Sequence, residues 1–219
     1  EKSIYHEIYY PEGGGQFPAL IILHTSGGFN TIKNKIERYV QAGYAVYAPD
    51  FFKKHKLSFK NRFDTFKKYR ESIESELFDV IEIMKKDNKV DKKNIFAVGY
   101  SNGGFWASFL AAEEKVNAGV SYYGVWFYPD HDGYPAKYFS INSNPVLVLH
   151  GKKETVQKLS RVKPQWTKAK KLGGRLTINV YEEVGHSFDC KPCKKDGFNL
   201  QVTKDAFSQT IYFFNKYKK

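Results

Sequence analysis

The stretch Asn94-Ile-Phe-Ala-Val-Gly-Tyr-Ser-Asn-Gly-Gly-Phe-Trp106 restricts the fold more than any other part of the chain. Ile95 to Gly99 is a short apolar run of the kind a strand buried on both faces shows. Gly99-Tyr100-Ser101-Asn102-Gly103 follows, and then Phe105, Trp106, Phe109, Leu110 and Ala111-Ala112 at helical spacing. Strand, G-x-S-x-G and helix in that order define a nucleophile elbow, a turn so sharp that its neighbours must be small. The geometry lifts the serine hydroxyl above the end of the sheet and aims the positive end of the helix dipole at it. The plain alternative is a glycine-rich strand-to-helix loop. The flanking pattern favours Ser101 as a nucleophile.

The remaining chain repeats the alternation of strand and helix. Ile4 to Tyr10 alternates and stops at Pro11, as an edge strand does. Pro18 to Leu23 is wholly apolar and ends at His24-Thr-Ser-Gly-Gly28. Lys33 to Gln41 carries Ile36, Tyr39 and Val40 at helical spacing, with Gly43 as its stop. Tyr44 to Asp50 reads as a strand, and Phe51 to Tyr69 as a loop with helical pieces. Ile73, Leu77, Val80, Ile81 and Met84 make an amphipathic helix that closes in Lys85-Lys86-Asp87. Beyond the elbow unit, Ala118 to Tyr123 and Pro145 to Leu149 are strands. Val156 to Leu172 is helical with an expected interruption near Pro164, and Leu176 to Tyr181 is a late strand. Lys204 to Tyr217 is a terminal helix. Four strands apolar on both faces, alternating with helices, predict an α/β chain with a doubly wound, mostly parallel sheet and helices on both faces.

At 219 residues, with no internal repeat or linker, one domain spanning 1–219 is the expectation. No apolar run is long enough to span a membrane. The net charge of +12 raises the question of nucleic acid. Only five of the 35 Lys and Arg residues are arginine, however, and no nucleic-acid motif occurs. The charge reads as a solvated surface that attracts anionic substrates or surfaces. A monomer is favoured. The sequence starts at Glu1 rather than Met, and this leaves a cytoplasmic and an exported protein equally open.

A serine nucleophile needs a base within hydrogen-bond reach and an acid to orient that base. In open parallel sheets such groups gather beyond the carboxyl ends of strands. His186, in Gly185-His-Ser-Phe188 after the last strand, is the expected base. His24 and His150 also end strands and could line the site, while His6, His55 and His131 sit elsewhere. With elbow nucleophiles the chain order is serine, acid, histidine, which singles out Glu154 in His150-Gly-Lys-Lys-Glu154. The competing reading of Glu154 is a solvated carboxylate among Lys152 and Lys153. Asp130 and Asp132 are alternative acids, and Asp189 lies too near His186 in sequence to back its ring. An oxyanion hole needs two backbone N–H groups. Asn102 supplies one and Ser26 the other, with Thr25 and Gly27 as alternatives. Cys190 and Cys193 form a two-residue-spaced pair, read as a local disulfide or two thiols, because four-ligand zinc would need a second pair. Phe29, Tyr100, Trp126 and Phe188 flank the strand ends and are candidate substrate-binding aromatics.

Six segments, taken in order, resemble the dienelactone hydrolase family of α/β-hydrolases. They are His24-Thr-Ser-Gly-Gly28, Tyr47-Ala-Pro-Asp-Phe51, Val98-Gly-Tyr-Ser-Asn-Gly-Gly104, Tyr122-Tyr-Gly124, Val148-Leu-His-Gly-Lys-Lys-Glu154 and Gly185-His-Ser-Phe188. The resemblance implies an α/β-hydrolase fold without a large lid domain. It also implies a triad of Ser101, Glu154 and His186, with oxyanion donors at Asn102 and near Ser26. Ser101 stands where dienelactone hydrolases proper carry cysteine, Thr25 where they carry glutamate, and Glu154 where aspartate is usual. A serine esterase acting on a small-molecule ester, without cofactor or metal, is therefore the expectation. Lactone, thioester or peptide hydrolysis, or a binding protein without turnover, are the alternatives.

Overall fold

Strands with no polar face must be covered on both sides, and the apolar runs accordingly become the inner strands of a seven-stranded sheet. The computed structural model describes residues 4–193 and 197–219. In chain order the elements are β1 (His6–Tyr9), β2 (Phe17–Leu23), α1 (Lys33–Gln41), β3 (Ala45–Pro49), α2 (Arg70–Lys86) and β4 (Val90–Tyr100). They continue with α3 (Asn102–Ala112), β5 (Gly119–Tyr122), β6 (Val146–Gly151), α4 (Leu159–Lys171), β7 (Leu176–Tyr181) and α5 (Leu200–Lys216). The strands lie in the order β1-β3-β2-β4-β5-β6-β7. β1 pairs antiparallel with β3 at one edge, and the other neighbours run parallel.

Successive residues of each inner strand point to opposite faces, so each strand contributes to two cores. Ala19, Ile21 and Leu23 of β2 pack with the buried faces of α2, α3 and α4. Leu20 and Ile22 pack with those of α1 and α5. α2 buries Ile73, Leu77, Val80, Ile81 and Met84, the stripe that its sequence spacing predicts. α3 differs in kind, because all of its residues from Asn102 to Ala112 are buried. It lies under the loops at the carboxyl end of the sheet as well as against the sheet itself. No separate lid domain covers that end among the described residues, and no helix there is long and apolar enough to cross a membrane.

Three boundaries differ from the sequence reading by three residues or more. β4 begins at Val90, five residues before the apolar run, because Val90 pairs with Phe17 across a register shift. α5 starts at Leu200, where the Asn199 side chain accepts from the N–H of Val202 and caps the helix. α4 begins at Leu159 and runs through Pro164 without a break. Proline there removes one internal hydrogen bond, but it sits on the exposed face while Val162, Trp166 and Ala169 hold the helix to the sheet.

The strand order reverses its direction of growth between β2 and β4, and such a switch point opens a crevice beyond the carboxyl ends of those two strands. Ser26 follows β2 and Ser101 follows β4, so both belong to this crevice. Because Pro164 is carried at a cost, Pro164→Ala should stabilise the protein by about 1–3 kcal/mol. Urea denaturation followed by circular dichroism measures this, and an unchanged or lower midpoint would contradict the account.

Candidate active site

Ser101 sits between β4 and α3 with φ 52° and ψ −109°, in the left-handed region that a non-glycine residue rarely adopts. Strain of this kind costs on the order of 1–3 kcal/mol and persists only where its surroundings enforce it. Here the Ser101 N–H donates to the Tyr122 carbonyl at 3.0 Å, and the Ser101 carbonyl accepts from Gly104 at 2.9 Å and Val125 at 3.0 Å. The glycines make the turn sterically possible. A Cβ on Gly99 would overlap the carbonyl of Gly103, and one on Gly103 would overlap the carbonyl of Leu23.

His186 Nε2 lies 2.9 Å from Ser101 Oγ, and His186 Nδ1 lies 2.8 Å from Glu154 Oε2. An ionised carboxylate only accepts, so Nδ1 carries the proton and Nε2 presents its lone pair to the serine hydroxyl. The other oxygen of Glu154 accepts from the backbone N–H groups of Val156 at 2.9 Å and Gln157 at 3.2 Å. Burial alone would raise the Glu154 carboxyl. The hydrogen bond and charge of His186, with the Gln157 N–H, outweigh burial and hold it below its ordinary value. Lys152 and Lys153 turn away to pair with Glu182 and Glu183, so Glu154 is not a solvated carboxylate among lysines.

Asn102 is the first residue of α3, and its N–H has no acceptor within the helix. Its side-chain amide donates to Ser26 Oγ at 3.2 Å and to Thr65 Oγ1 at 3.3 Å, which ties the loop after β2 to the elbow. His24 does not line the site. Its ring is buried flat against Phe51 at 3.9 Å, with Nδ1 2.7 Å from the Thr25 carbonyl. His150 is likewise buried and bonds through Nε2 to the Gln157 carbonyl at 2.8 Å, so it supports the loop that carries Glu154.

The alternative acids are engaged elsewhere. Asp132 bonds to Arg70 and Tyr128, and Asp130 is exposed beside Lys67. Three of the four aromatic candidates also need correction. Tyr100, Trp126 and Phe188 have no exposed surface. Tyr100 bonds to Tyr39 and Arg38, Trp126 stacks on Phe139, and Phe188 packs among Tyr122, Tyr123 and Tyr181. All three are part of the buried cores rather than of the crevice wall. Phe29 stays half-buried and lines a cavity of about 550 Å³ with Gly27, Gly28 and Phe59. A second cavity of about 200 Å³ lies on the other side of the same loop. Its walls include Thr25, Asn34, Tyr123, Ser187, Cys190 and Cys193.

Several members of the site carry no sequence signal. Gln157 accepts from the N–H groups of Trp126 and Phe127 through its side chain, and so joins the acid loop to the loop after β5. Thr65 ends a short 3-10 helix, Phe59–Thr65, within the segment whose sequence reads as a loop with helical pieces. Cys190 and Cys193, by contrast a pair whose spacing the sequence already shows, are joined by a disulfide in the loop that carries His186. No group of three or more His, Cys, Asp or Glu side chains that could hold a metal occurs among the described residues.

The sheet order, the switch-point crevice and the elbow define an α/β-hydrolase fold. The chain belongs to the dienelactone hydrolase family, whose model matches residues 6–218, and this places it among hydrolases that act on esters. It is 22% identical over 218 residues to protein usf of Aquifex pyrophilus, covering 94% of this chain and 90% of that protein. Among solved structures it is similar to a candidate dienelactone hydrolase from Klebsiella pneumoniae, with a TM-score of 0.79, 20% identity, and coverage of 97% of this chain and 92% of the other. Esterase 2 of Thermogutta terrifontis is similar at a TM-score of 0.72 and 15% identity, with 96% and 88% covered. A metagenomic dienelactone hydrolase-like phosphotriesterase, P91, gives 0.74 and 16%, with 98% and 92% covered.

Glu154 and Asp189 are both carboxyls that folding lowers. For Asp189, burial raises the carboxyl, and the charges of Lys35 and Arg38 more than reverse this. Such groups stabilise the fold fully above their unfolded values near about 4, and the contribution is lost as pH falls through the folded value. Thermal midpoints should therefore be level from about pH 7 to 5 and fall progressively below about pH 4. A midpoint that stays level in acid would show that these carboxyls are not stabilised by folding.

Proposed function

We propose that the chain is a carboxylic-ester hydrolase that works through Ser101, His186 and Glu154 by way of an acyl-enzyme. The observation that most supports this is the unbroken hydrogen-bonded chain from Ser101 Oγ through both nitrogens of His186 to a buried Glu154. His186 Nε2 takes the hydroxyl proton as Oγ attacks the ester carbonyl, and the carbonyl π electrons move onto oxygen. Glu154 keeps the imidazole in the required tautomer and stabilises its charged form. The N–H groups of Asn102 and Ser26 receive the developing oxyanion. When the carbon–oxygen bond breaks, His186 returns its proton to the departing alkoxide. Water, deprotonated by the same nitrogen, then releases the acid and regenerates Ser101.

The resemblance places cysteine at this position in dienelactone hydrolases proper, and Ser101 in its place is why an open-chain ester is proposed rather than a dienelactone. Esterase 2 of T. terrifontis, which shares the fold, is found phosphonylated by cyclosarin. Organophosphorus labelling is accordingly the natural probe. The cavity of about 200 Å³ is smaller than the roughly 300 Å³ at which whole-ligand pockets begin, so it suits one short substituent. None of Ser101, His186 and Glu154 lines this cavity, but Ser187 and Tyr123, which adjoin His186, do, and on that adjacency we assign it to the departing alcohol.

A fluorophosphonate probe should label the wild type at Ser101 and leave Ser101→Ala unmodified, as mass spectrometry of the intact protein and its peptides would show. An unlabelled wild type would favour a binding protein without turnover. In a pH-stat series of alkyl acetates, kcat/KM should be highest for methyl to butyl and at least about tenfold lower for octyl, whose chain exceeds the cavity. A flat series would remove the cavity from the reading.

A further inference from the structure

The loop between β7 and α5 carries His186 and contains neither helix nor strand among its described residues. A segment that long needs fastening if the imidazole is to stay within reach of Ser101. Three residues beyond His186, Asp189 turns into the interior, with 0% of its side chain exposed. Its Oδ2 accepts from Lys35 Nζ at 2.6 Å and Arg38 Nη2 at 3.4 Å, and its Oδ1 accepts from Tyr123 Oη at 2.7 Å. The Lys35 side chain is itself only 6% exposed.

Each partner belongs to a different part of the site. Lys35 and Arg38 lie on α1, which begins five residues after Gly28 and so continues the loop that carries Ser26. Arg38 Nη2 also donates to the hydroxyl of Tyr100, the residue before Ser101, at 2.7 Å. Tyr123 follows β5 with φ 38°, its N–H bound to the Leu149 carbonyl at 2.7 Å, and its ring centroid lies 5.0 Å from that of His186. One carboxylate thus touches the helix behind the oxyanion loop and the tyrosine against the base, and through Arg38 it is linked to the nucleophile strand. Stability alone is a poor reason to bury such a cluster, since apolar residues of similar volume hold a core at least as well.

We propose that Asp189 is a positioning residue, which fixes the His186 loop against α1 and Tyr100 so that imidazole, hydroxyl and oxyanion loop keep their spacing. This rests on the Ser101–His186–Glu154 reading. Displacing catalytic groups by about 1 Å costs up to about a hundredfold in rate.

The test measures kcat and KM for ethyl acetate in the wild type, Ser101→Ala, Tyr123→Phe, Asp189→Asn and Asp189→Glu, together with the rate of fluorophosphonate labelling and the folded fraction by circular dichroism. Tyr123→Phe keeps the ring and the ion pairs but removes one hydrogen bond, and should lower kcat about tenfold with KM within about twofold. Asp189→Asn should lower kcat by about a hundredfold per folded molecule, and Asp189→Glu should recover part of that loss. Labelling rates should fall in parallel. If Asp189→Asn does not fold, Tyr123→Phe decides. Unchanged kcat in folded variants, or a rise in KM alone, would overturn the proposal. Loss of activity in Ser101→Ala beside unaffected Tyr123→Phe would sink the positioning role only, whereas an active Ser101→Ala would sink the underlying reading.

Discussion

The close approach of α3 to the sheet is the constraint on which the rest of the site depends. Gly99, Gly103 and Gly104 have no room for a Cβ, because β4, α3 and the backbone after β2 and β5 converge there. That convergence forces Ser101 into a conformation it would not choose. It also brings the start of α3 beneath the loop holding Ser26. The position of Ser101 is therefore a property of backbone contacts on all sides, and side-chain packing elsewhere only has to preserve them.

Around this fixed point the polar groups satisfy one another in series. Glu154 is supplied with two backbone donors and one imidazole, so its desolvation is offset by three hydrogen bonds. Gln157 and His150 hold the acid's loop from behind, and Asn102 performs the same office for the loop after β2. Buried polar networks of this sort are valuable only when their members are satisfied. Most of those named here are. Among the described residues, Asn102 Oδ1 and His150 Nδ1 are buried with no hydrogen-bond partner.

Much of this was legible in the sequence. Apolar runs bounded by glycine and proline located the inner strands, and serine, acid and histidine in chain order named the three side chains that are joined by hydrogen bonds. The family resemblance drawn from six segments agrees with the family model that matches the chain. What escaped has physical causes. Position at or beyond a strand end does not reveal which way an aromatic points, so the sequence assigns Tyr100, Trp126 and Phe188 to the crevice, whereas they belong to the interior. Pro164 reads as a break in the sequence, which does not reveal that it lies on the exposed face of α4. Asp189 was set aside as too near His186, and its distant partners on α1 are visible only once the chain is folded. Gln157 is a common polar residue in a loop and Thr65 ends the short 3-10 helix Phe59–Thr65, and nothing in their sequence neighbourhood marks them.

The Cys190–Cys193 bridge joins residues three apart. On the chain-entropy view a ring of this size takes only about 2 kcal/mol of freedom from the unfolded chain, less than a long loop would lose. Its larger effect is on shape, since both cysteines and the intervening Pro192 form part of the wall of the small cavity beside His186. Opening the bridge would leave the sheet intact while that wall slackens. The thiol–disulfide balance of the surroundings therefore acts on the contour of the groove more than on whether the chain is folded.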